Sequence, residues 1–333
     1  MKKGFIIIVM AMIIAAFTTL TNYKVDPAEI KAAITKSLPL LQSSSHTFLV
    51  NAGGCHSCHG QGIGAVTFSL AKEKGYAIQD TILKEALDSM HHDLIQRKDY
   101  LMQNTDPVAI VISGGYDLWA FAANNITPNK KNEQLARNIL QRQLKNGSWV
   151  SPNSRPPLEY YSFSATAMAV KGIQAYLPAI FQQELQQKLA AARAWMMKTK
   201  PIANEEKIFQ LLGLTWAHGD AAFIKQQAQQ LIAAQHSDGG WSQLATLPAD
   251  AYATGQALYA LNTSGQLPTD APVYQKGIAY LLRTQQPDGT WNVQTRSFPS
   301  VPYVDSGFPH GDNQFISAAG SNWATMALLL ASK

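Results

Sequence analysis

The sequence has little cysteine and little charge for its length. Its 333 residues contain only two cysteines, too few for the disulfide framework that supports small secreted scaffolds. Charged side chains make up 15% of the chain, and 27 basic against 22 acidic residues leave a formal net charge of +5. This small excess is dispersed, and part of it comes from Lys2 and Lys3. We therefore expect no nucleic-acid partner.

The N-terminus carries two lysines followed by an apolar run, Phe5 to Leu20. This run is shorter than the ~20 residues that span a bilayer as a helix, and the pattern is typical of an export signal. We predict a signal peptide over residues 1–22 and one domain over residues 23–333, located in the periplasm or outside the cell. The cleavage site is weak, so an uncleaved membrane anchor is the alternative.

A helix that ends in a tight turn and a tryptophan occurs three times. The copies run from Gln143 to Trp149, from Gln235 to Trp241 and from Gln285 to Trp291. A glycine in each turn permits the positive φ that ends a helix, so the glutamine should bond exposed backbone there and the indole should be buried. The glutamines are 92 and 50 residues apart. A repeat of about 46 to 50 residues fits all three copies if the 92-residue interval contains one further unit that lacks the motif.

The third copy resembles the QW motif of the squalene-hopene cyclase and protein prenyltransferase superfamily. The pattern K-G-x-x-[FY]-L-x-x-x-Q-x-x-x-G-x-W is matched at Lys276, Gly277, Tyr280, Leu281, Gln285, Gly289 and Trp291. The other two copies keep the glutamine, glycine and tryptophan but lack the Lys-Gly start. The resemblance covers residues 130–333 and implies an all-α fold, an (α/α)6 toroid with a central cavity.

Apolar periodicity and helix breakers predict twelve helices. The predicted ranges are 27–42, 61–75, 79–98, 106–124, 130–145, 161–177, 181–199, 205–218, 220–236, 249–263, 271–286 and 317–332. They pair as six hairpins, in which the second helix has fewer charges and more small residues. We therefore place the second helices in an inner ring and the first helices in an outer ring.

Four connections from outer to inner helices are long, whereas the reverse connections are short. The long loops cover residues 43–60, 146–160, 237–248 and 287–316. They leave the toroid at one end, and long loops in a compact domain usually carry function. We expect a ligand or partner at this end, and we expect the last loop to form a lid or wall over the mouth.

The first long loop contains both cysteines, in a C-H-S-C-H stretch. C-x-x-C-H is the attachment motif of haem c, in which two thiols bind the vinyl groups and the adjacent histidine binds the iron. We predict haem c on Cys55 and Cys58, with His59 as the metal ligand. The stretch also resembles one in secreted bacterial toroid proteins with a C-x-S-C-H motif. The alternatives are a Cys55–Cys58 disulfide or dithiol, and a metal site with His46 or His56.

A second axial ligand for the haem iron has several candidates. Met102 lies in the loop from Asp99 to Asp106, at the same end as the cysteines, and is the first choice. The rivals are His91, His92 and His310. Ordinary packing is the alternative for Met102, and a solvated helix face is the alternative for His91 and His92.

The catalytic motifs of the resembled families are absent from the sequence. There is no D-x-D-D cluster of the kind that protonates an alkene, and no D-D-x-x-D motif to hold magnesium and diphosphate. No cysteine follows Cys58, so the zinc site of protein prenyltransferases is missing too. The resemblance therefore implies the fold and not the activity, and we predict no magnesium or zinc site.

Four polar residues of the long-loop end remain as catalytic candidates: Asp250, Asp305, His310 and Asp312. Asp250 begins an inner helix, where a helix cap is the structural alternative. His310 lies in a proline-glycine turn, where a neighbouring carboxylate can orient its ring.

Two functions fit these patterns. The first is an exported toroid that carries haem c and acts in electron transfer with a redox partner protein. The alternative is a cyclase- or prenyltransferase-like enzyme, or a binding protein, for a small apolar ligand, with the cysteines as a structural disulfide. A peripheral membrane contact is compatible with either function.

Overall fold

The computed structural model describes residues 24–105, 109–151, 155–298 and 303–332, apart from the side chains of Cys58 and His59. Within these ranges twelve long helices alternate between two rings. The outer helices are α1 (Pro27–Asn51), α3 (Asp80–Gln96), α5 (Lys130–Gln141), α7 (Gln182–Lys198), α9 (Ala221–Ala233) and α11 (Pro272–Thr284). The inner helices are α2 (Ile63–Glu73), α4 (Ile110–Ala123), α6 (Ser162–Tyr176), α8 (Asn204–Trp216), α10 (Ala251–Thr263) and α12 (Gln314–Ala331).

A short helix, Lys98–Met102, follows α3, and a π-helical turn, Cys58–Gly62, precedes α2. The described ranges contain isolated bridges but no β-strand, so the predicted all-α toroid is confirmed. The helices in the described part of the chain are too short or too polar to span a bilayer. The predicted signal peptide lies outside the described residues.

The inner helices pack against one another in chain order, and α12 packs against α2, which closes the ring. Small residues permit this close packing. A Cβ on Gly115 of α4 would lie 2.8 Å from Met168 of α6, and one on Gly255 of α10 would lie 2.5 Å from the backbone nitrogen of Ala324 in α12. The inner helices are therefore rich in small residues because larger ones would separate them.

The three tryptophan turns are built alike. Each indole is buried and donates from Nε1 to a carbonyl of its own outer helix: Trp149 to Ile139 (2.6 Å), Trp241 to Leu231 (2.7 Å) and Trp291 to Leu281 (2.8 Å). Each backbone N–H donates to a hydroxyl of the next inner helix: Thr166, Thr254 and Ser321 respectively. The tryptophan thus joins an outer helix to its inner partner, as the sequence predicts.

The glutamine of each turn makes the contact to the next outer helix. The side-chain amides of Gln143, Gln235 and Gln285 each donate to the glycine carbonyl of their own turn, and also to the carbonyls of Lys188, Val273 and Ala33 respectively. The third turn therefore joins α11 to α1 and closes the outer ring. The repeated turn therefore links each hairpin to its neighbour.

The first helix is longer than predicted. The sequence prediction ended it at residue 42, but α1 continues to Asn51 and shortens the predicted loop 43–60. Ser44 and Ser45 are buried in this extension, and the Gln42 side chain accepts a hydrogen bond from the backbone N–H of Gln79 at 2.7 Å. These tertiary contacts stabilise a serine-rich stretch that has poor intrinsic helix propensity.

Aromatic side chains fill the centre of the toroid at the level of Trp119. Its ring centroid lies 5.8 Å from that of Trp216, 6.0 Å from that of Tyr259 and 6.0 Å from that of Trp323, and the last two rings are 5.3 Å apart. We call these four side chains the aromatic column. The prediction of an open central cavity is wrong at this level, because the four rings are in contact with one another.

Candidate functional site

The long-loop end of the axis contains a buried carboxylic acid, Glu205, in the first turn of α8. Only 4% of this residue is exposed, and the hydroxyl of Tyr252 on α10 donates to its Oε2 at 3.0 Å. Burial raises the pKa of Glu205 to about 8, against smaller lowering effects of Tyr252 and Arg296. At neutral pH the side chain is therefore mainly an uncharged acid that can donate a hydrogen bond.

A chain of polar side chains extends from Asp250 toward the loops. Asp250 caps α10, because its Oδ1 accepts from the N–H of Ala253 at 2.8 Å, and its Oδ2 accepts from the Gln243 amide at 3.0 Å. Arg296 of the last loop donates from Nε to Oε1 of Gln243 at 2.7 Å, and from a terminal nitrogen to the Tyr161 hydroxyl at 3.4 Å. Burial raises the pKa of Asp250 to about 6, although these hydrogen bonds oppose the shift.

Gln256 occupies the space between Glu205 and the aromatic column. It follows Tyr252 by one helical turn and precedes Tyr259 by one turn, so all three share one face of α10. Gln256 is fully buried, and neither its amide nitrogen nor its amide oxygen makes a hydrogen bond of good geometry within the described residues. Its polar neighbour is the Tyr252 hydroxyl, whose pKa the amide lowers slightly against the larger raising effect of burial. An unpaired buried amide costs about 1 to 3 kcal/mol for each group, so a hydrogen-bond partner at this position would stabilise the folded protein.

The cysteine loop is fixed to the body by residues between the two cysteines. His56 is buried and its Nε2 lies 2.9 and 3.1 Å from the two carboxylate oxygens of Asp117 on α4. Burial lowers the pKa of His56, but the charge and hydrogen bond of Asp117 outweigh it, so the pKa is raised. The N–H and hydroxyl of Ser57 both donate to Oε1 of Gln61, whose amide donates to the carbonyl of Ser45.

Cys55 is an exposed free thiol on this fixed loop. The side chains of Cys58 and His59 lie outside the described residues. Beside the loop runs a groove of about 380 Å³, lined by Gly54 and by His46, Leu49, Val50, Glu85, Asp88, Ser89 and His92. His46 is paired with Glu85 at 2.7 Å.

The structure does not bring Met102 to the groove beside Cys55. Its side chain is 65% exposed and lines a different groove on the outer wall, together with Lys130. His91 is not on a solvated face either, because its ring stacks on Phe121 at 4.3 Å. Burial lowers its pKa. Of the proposed distal ligands, only His92 lines the groove next to the cysteine loop.

The other catalytic candidates do not join Asp250. His310 contacts the third tryptophan turn: its Nε2 lies 2.9 Å from the Thr290 hydroxyl, and burial lowers its pKa against the charge of Asp288. Asp305 is exposed and accepts from the N–H of its neighbour Gly307, while Asp312 is exposed at the start of α12. Within the described part of the chain, no hydrogen bond joins any of these three residues to Asp250.

The last loop does cover the long-loop end. Thr295, Ser297 and Tyr303 line one small cavity together with Arg155 and Leu158 of the 146–160 loop. Farther along the loop, Ser306 lines another small cavity together with Ser57 and Gly60 of the cysteine loop. The last loop places Arg296 next to Gln243, whereas His310, the residue predicted to face the mouth, contacts Thr290. Within the described part of the chain, no three His, Cys, Asp or Glu side chains are grouped closely enough to hold a metal ion.

Comparison with solved structures identifies the fold. The type II terpene cyclase MstE from Scytonema matches with a TM-score of 0.57 over 92% of this chain and 99% of that chain, at 14% identity. An unsaturated glucuronyl hydrolase specific for heparin matches with a TM-score of 0.61 over 92% and 98%, at 12% identity. The chain has the α/α-toroid fold of the terpene cyclases. Since a glucuronyl hydrolase shares this fold, the fold alone does not select a reaction.

Sequence comparison finds a relative that matches part of the chain. Squalene-hopene cyclase from Bradyrhizobium diazoefficiens is 30% identical over 118 residues, which span 31% of this chain and 17% of that protein. No family model matches the chain. A variant of MstE has also been solved in complex with its substrate, geranylgeranyl dihydroxybenzoate, and this structure matches with a TM-score of 0.56 at 14% identity.

Sequence reasoning missed Glu205, Gln256 and Arg296. Glu205 lies in the first turn of a helix, where acids are common because they interact favourably with the helix dipole. Gln256 lies in a predicted inner helix, and its position one turn from both Tyr252 and Tyr259 was the available signal. Arg296 had no local signal, since its role depends on where a long loop folds.

Proposed function

We propose that the protein binds a small apolar, prenyl-type molecule with one polar group, at the long-loop end of the toroid axis. The unpaired amide of buried Gln256 carries this proposal, because a ligand oxygen or hydroxyl would supply the partner that it lacks. The uncharged acid of Glu205, held by Tyr252, can donate a second hydrogen bond to the same polar group. The apolar part of the ligand would then contact the aromatic column.

Binding fits the chemistry of Glu205 better than alkene protonation does. A pKa of about 8 makes this side chain a weak acid, whereas protonation of an isolated alkene needs a strong one. Tyr252 and Arg296 favour the ionised form of Glu205, but burial outweighs both. We therefore propose a binding protein with a cyclase-like fold. An enzyme of the same fold is the alternative that the experiment below separates from it.

Because aromatic rings occupy the axis, ligand entry should reorient them. Geranylgeraniol, an apolar prenyl alcohol, is a suitable probe, since Trp119 and Trp323 would report its binding through their fluorescence. Gln256→Met keeps the side-chain volume and removes the amide. We expect about tenfold weaker geranylgeraniol binding, together with a gain of about 1 to 3 kcal/mol in the free energy of unfolding, because an unpaired amide is lost.

Gln275→Met is the matched control for this experiment. The Gln275 amide is buried and satisfied, since its Oε1 accepts from the N–H of Val25 and its Nε2 donates to the carbonyl of Thr269. This variant should lose stability and keep its affinity for geranylgeraniol. If Gln256→Met loses stability as Gln275→Met does, Gln256 has a structural role and the binding proposal is wrong. Release of a cyclised or hydrated product from geranylgeraniol would show an enzyme.

The cysteine loop supports a second, separate proposal: covalent haem c on Cys55 and Cys58, with His59 on the iron, in a protein exported to the periplasm or beyond. The observation in its favour is an exposed thiol on a fixed loop beside an open groove. Haem there would supply one-electron transfer. Leu49 and Val50 of the groove are apolar and His92 offers an imidazole, whereas the acids Glu85 and Asp88 line the same groove and would have to remain at its solvent edge.

An absorption spectrum and an intact mass test this proposal, on protein exported together with the haem-maturation machinery. A Soret band and the added mass of haem are expected, and Cys55→Ser should weaken the attachment. His92→Ala should change the spectrum, whereas Met102→Ala should not, because Met102 lines another groove. A colourless protein with the mass of the bare polypeptide would rule out haem.

A further inference from the structure

The outer wall of the toroid carries a groove of about 590 Å³ between α3 and α5. We call it the outer-wall groove. It is lined by Leu94, Ile95, Lys98, Leu101, Met102, Lys130, Lys131, Glu133, Gln134, Arg137 and Pro178. The amide of Gln134 donates to the carbonyl of Leu101 at 3.1 Å and so fixes the two sides of the groove relative to one another. The groove is therefore part of the folded body.

The charges around the outer-wall groove are strongly one-sided. Lys98, Lys130, Lys131 and Arg137 face a single acid, Glu133. Among the described residues, none of these four cations forms a recorded ion pair within the chain. Uncompensated cations around one concave surface attract an anion.

Arg137, which lines the groove, is held against an aromatic ring. Its guanidinium lies over the ring of Phe181, with the central carbon 4.8 Å from the ring centroid. Its Nε is buried and has no hydrogen-bond partner among the described residues. A buried guanidinium nitrogen without a partner is costly, so a ligand oxygen at this position would be stabilised.

The floor of the groove is apolar. Leu94 and Leu101 are 3% exposed at its base, while Ile95 is 47% exposed and Met102 is 65% exposed. An exposed apolar patch that is rimmed by polar or charged side chains often marks a ligand-binding groove. This arrangement matches a molecule with an apolar chain and an anionic end.

We propose that the outer-wall groove binds one anionic single-chain amphiphile, with its chain on the apolar floor and a phosphate or carboxylate on the cations. The groove is lined by outer helices and lies apart from Gln256 and the aromatic column, so this site is independent of the proposed axial ligand. A concave groove with a fixed arginine suits a single molecule better than the plane of a lipid surface.

Dodecyl phosphate, used below its critical micelle concentration, is the probe, and isothermal titration calorimetry of the full chain is the measurement. We expect one site per chain, with much weaker binding of dodecanol and of dodecyltrimethylammonium. Lys98→Glu with Lys131→Glu should weaken dodecyl phosphate binding about tenfold or more, because two attractive contacts become repulsive. Ile95→Asp should weaken it too, through the apolar floor.

The matched control is Lys31→Glu with Lys225→Glu, which makes the same change in net charge at exposed positions of α1 and α9. This variant should bind dodecyl phosphate as the unaltered protein does. Equal losses in both double variants would show unspecific attraction and overturn the proposal. Equal binding of dodecanol would also overturn it. Binding only to anionic vesicles, and not to monomeric dodecyl phosphate, would show a membrane-contact surface in place of a single-molecule site.

Discussion

Two adjacent acids in the first turn of α8 have different surroundings. Glu206 accepts from the backbone N–H groups of Ile202 and Ala203, at 2.8 and 2.9 Å, and so satisfies donors at the start of the helix. Glu205 is buried in the interior of the toroid. Within the described part of the chain, its carboxyl group has one hydrogen-bond partner, the hydroxyl of Tyr252. Burial therefore raises the pKa of Glu205 from the ordinary 4.5 to about 8.

This pKa predicts how stability changes with pH. The folded protein keeps the Glu205 proton up to about pH 8, whereas the unfolded chain loses it near pH 4.5, so the free energy of unfolding should fall as pH rises between these values. The slope is roughly 1.4 kcal/mol per pH unit at most. Glu205→Gln should flatten this dependence, with a remainder from Asp250, whose pKa is about 6, and from His56, whose pKa is raised. Urea unfolding from pH 5 to 9 measures it.

The control for the pH experiment is Glu73→Gln, at an exposed position at the end of α2. It should keep the slope of the unaltered protein. If Glu205→Gln and the unaltered protein give parallel curves, Glu205 is ionised at neutral pH. The hydrogen-bond donor in the proposed ligand site would then be lost, although Gln256 would still lack a partner.

The His56–Asp117 pair gives a second prediction at this scale. Burial lowers the pKa of His56 and Asp117 raises it further than that, so Asp117→Asn should bring the pKa below its ordinary value. The stability that the pair contributes is fully present below about pH 6.5 and is lost as pH rises through the raised pKa. Histidine NMR titration measures the shift. Asp270→Asn, at an exposed loop position, should leave the His56 titration unchanged.

Some residues of the site could be predicted and others could not. The cap at Asp250 and the buried tryptophans follow from local patterns, and the structure confirms them. Glu205 and Tyr252 are 47 residues apart, and no local pattern brings them together. Arg296 reaches Gln243 across 53 residues for the same reason. What sequence reasoning missed are contacts between neighbouring hairpins, whose residues lie about one repeat apart in the chain.

Helix positions followed closely from the sequence, because the apolar face of each amphipathic helix is visible locally. The largest exception is α1, in which burial of Ser44 and Ser45 extends the helix to Asn51, and α5 ends at Gln141, four residues before its predicted end. The short helix Lys98–Met102 was also read as a loop. In α1 and in this short helix, tertiary packing outweighs the intrinsic preference of the segment.

The glycine of each tryptophan turn supports a prediction about these elements. Gly289 has φ of +92°, and a Cβ there would lie 2.3 Å from the carbonyl oxygen of Lys36 in α1. Gly265 also has a positive φ, +70°, but no atom lies within 4 Å of its would-be Cβ. Gly265→Ala should cost about 1 to 2 kcal/mol from backbone conformation, and Gly289→Ala about 1 to 3 kcal/mol more from the clash.

Urea unfolding of the two variants measures the difference. Equal costs would show that α1 moves away at no penalty and that the turn does not hold the outer ring closed. Gly147→Ala and Gly239→Ala should behave as Gly289→Ala does. Their would-be Cβ atoms lie 2.3 Å from the carbonyl oxygen of Ala191 and 2.5 Å from that of Lys276. A shared cost at all three turns would establish that the repeat has one structural role.

At the scale of the whole molecule, the two ends of the toroid differ. Hairpin turns between inner and outer helices close one end, while the long loops at the other end pack over Glu205, Asp250 and Gln256. Lys171 lies over the ring of Trp216, at 5.3 Å from its centroid, near the C-terminal ends of α6 and α8. The aromatic column therefore lies between the buried acids Glu205 and Asp250 at the long-loop end and the hairpin turns at the other end.

Arg296 is one of the contacts that hold the last loop over the long-loop end, because it bonds both Gln243 and Tyr161. Arg296→Ala should let this loop separate from the body. Acrylamide should then quench the fluorescence of the buried column more strongly, and geranylgeraniol should associate faster, since its entry no longer waits for the loop. Stopped-flow fluorescence measures both effects.

Arg283→Ala is the matched control, since Arg283 bonds the carbonyl of Asp238 and lies over Tyr280 at the outer rim. It removes an arginine without touching the last loop, and it should leave quenching and association unchanged. If both variants behave alike, the ligand does not enter beneath Arg296. The proposed path along the axis would then be wrong. A different outcome is a loss of geranylgeraniol affinity in Arg296→Ala alone, at an unchanged association rate. That result would show that Arg296 contacts the ligand and does not control closure of the loop.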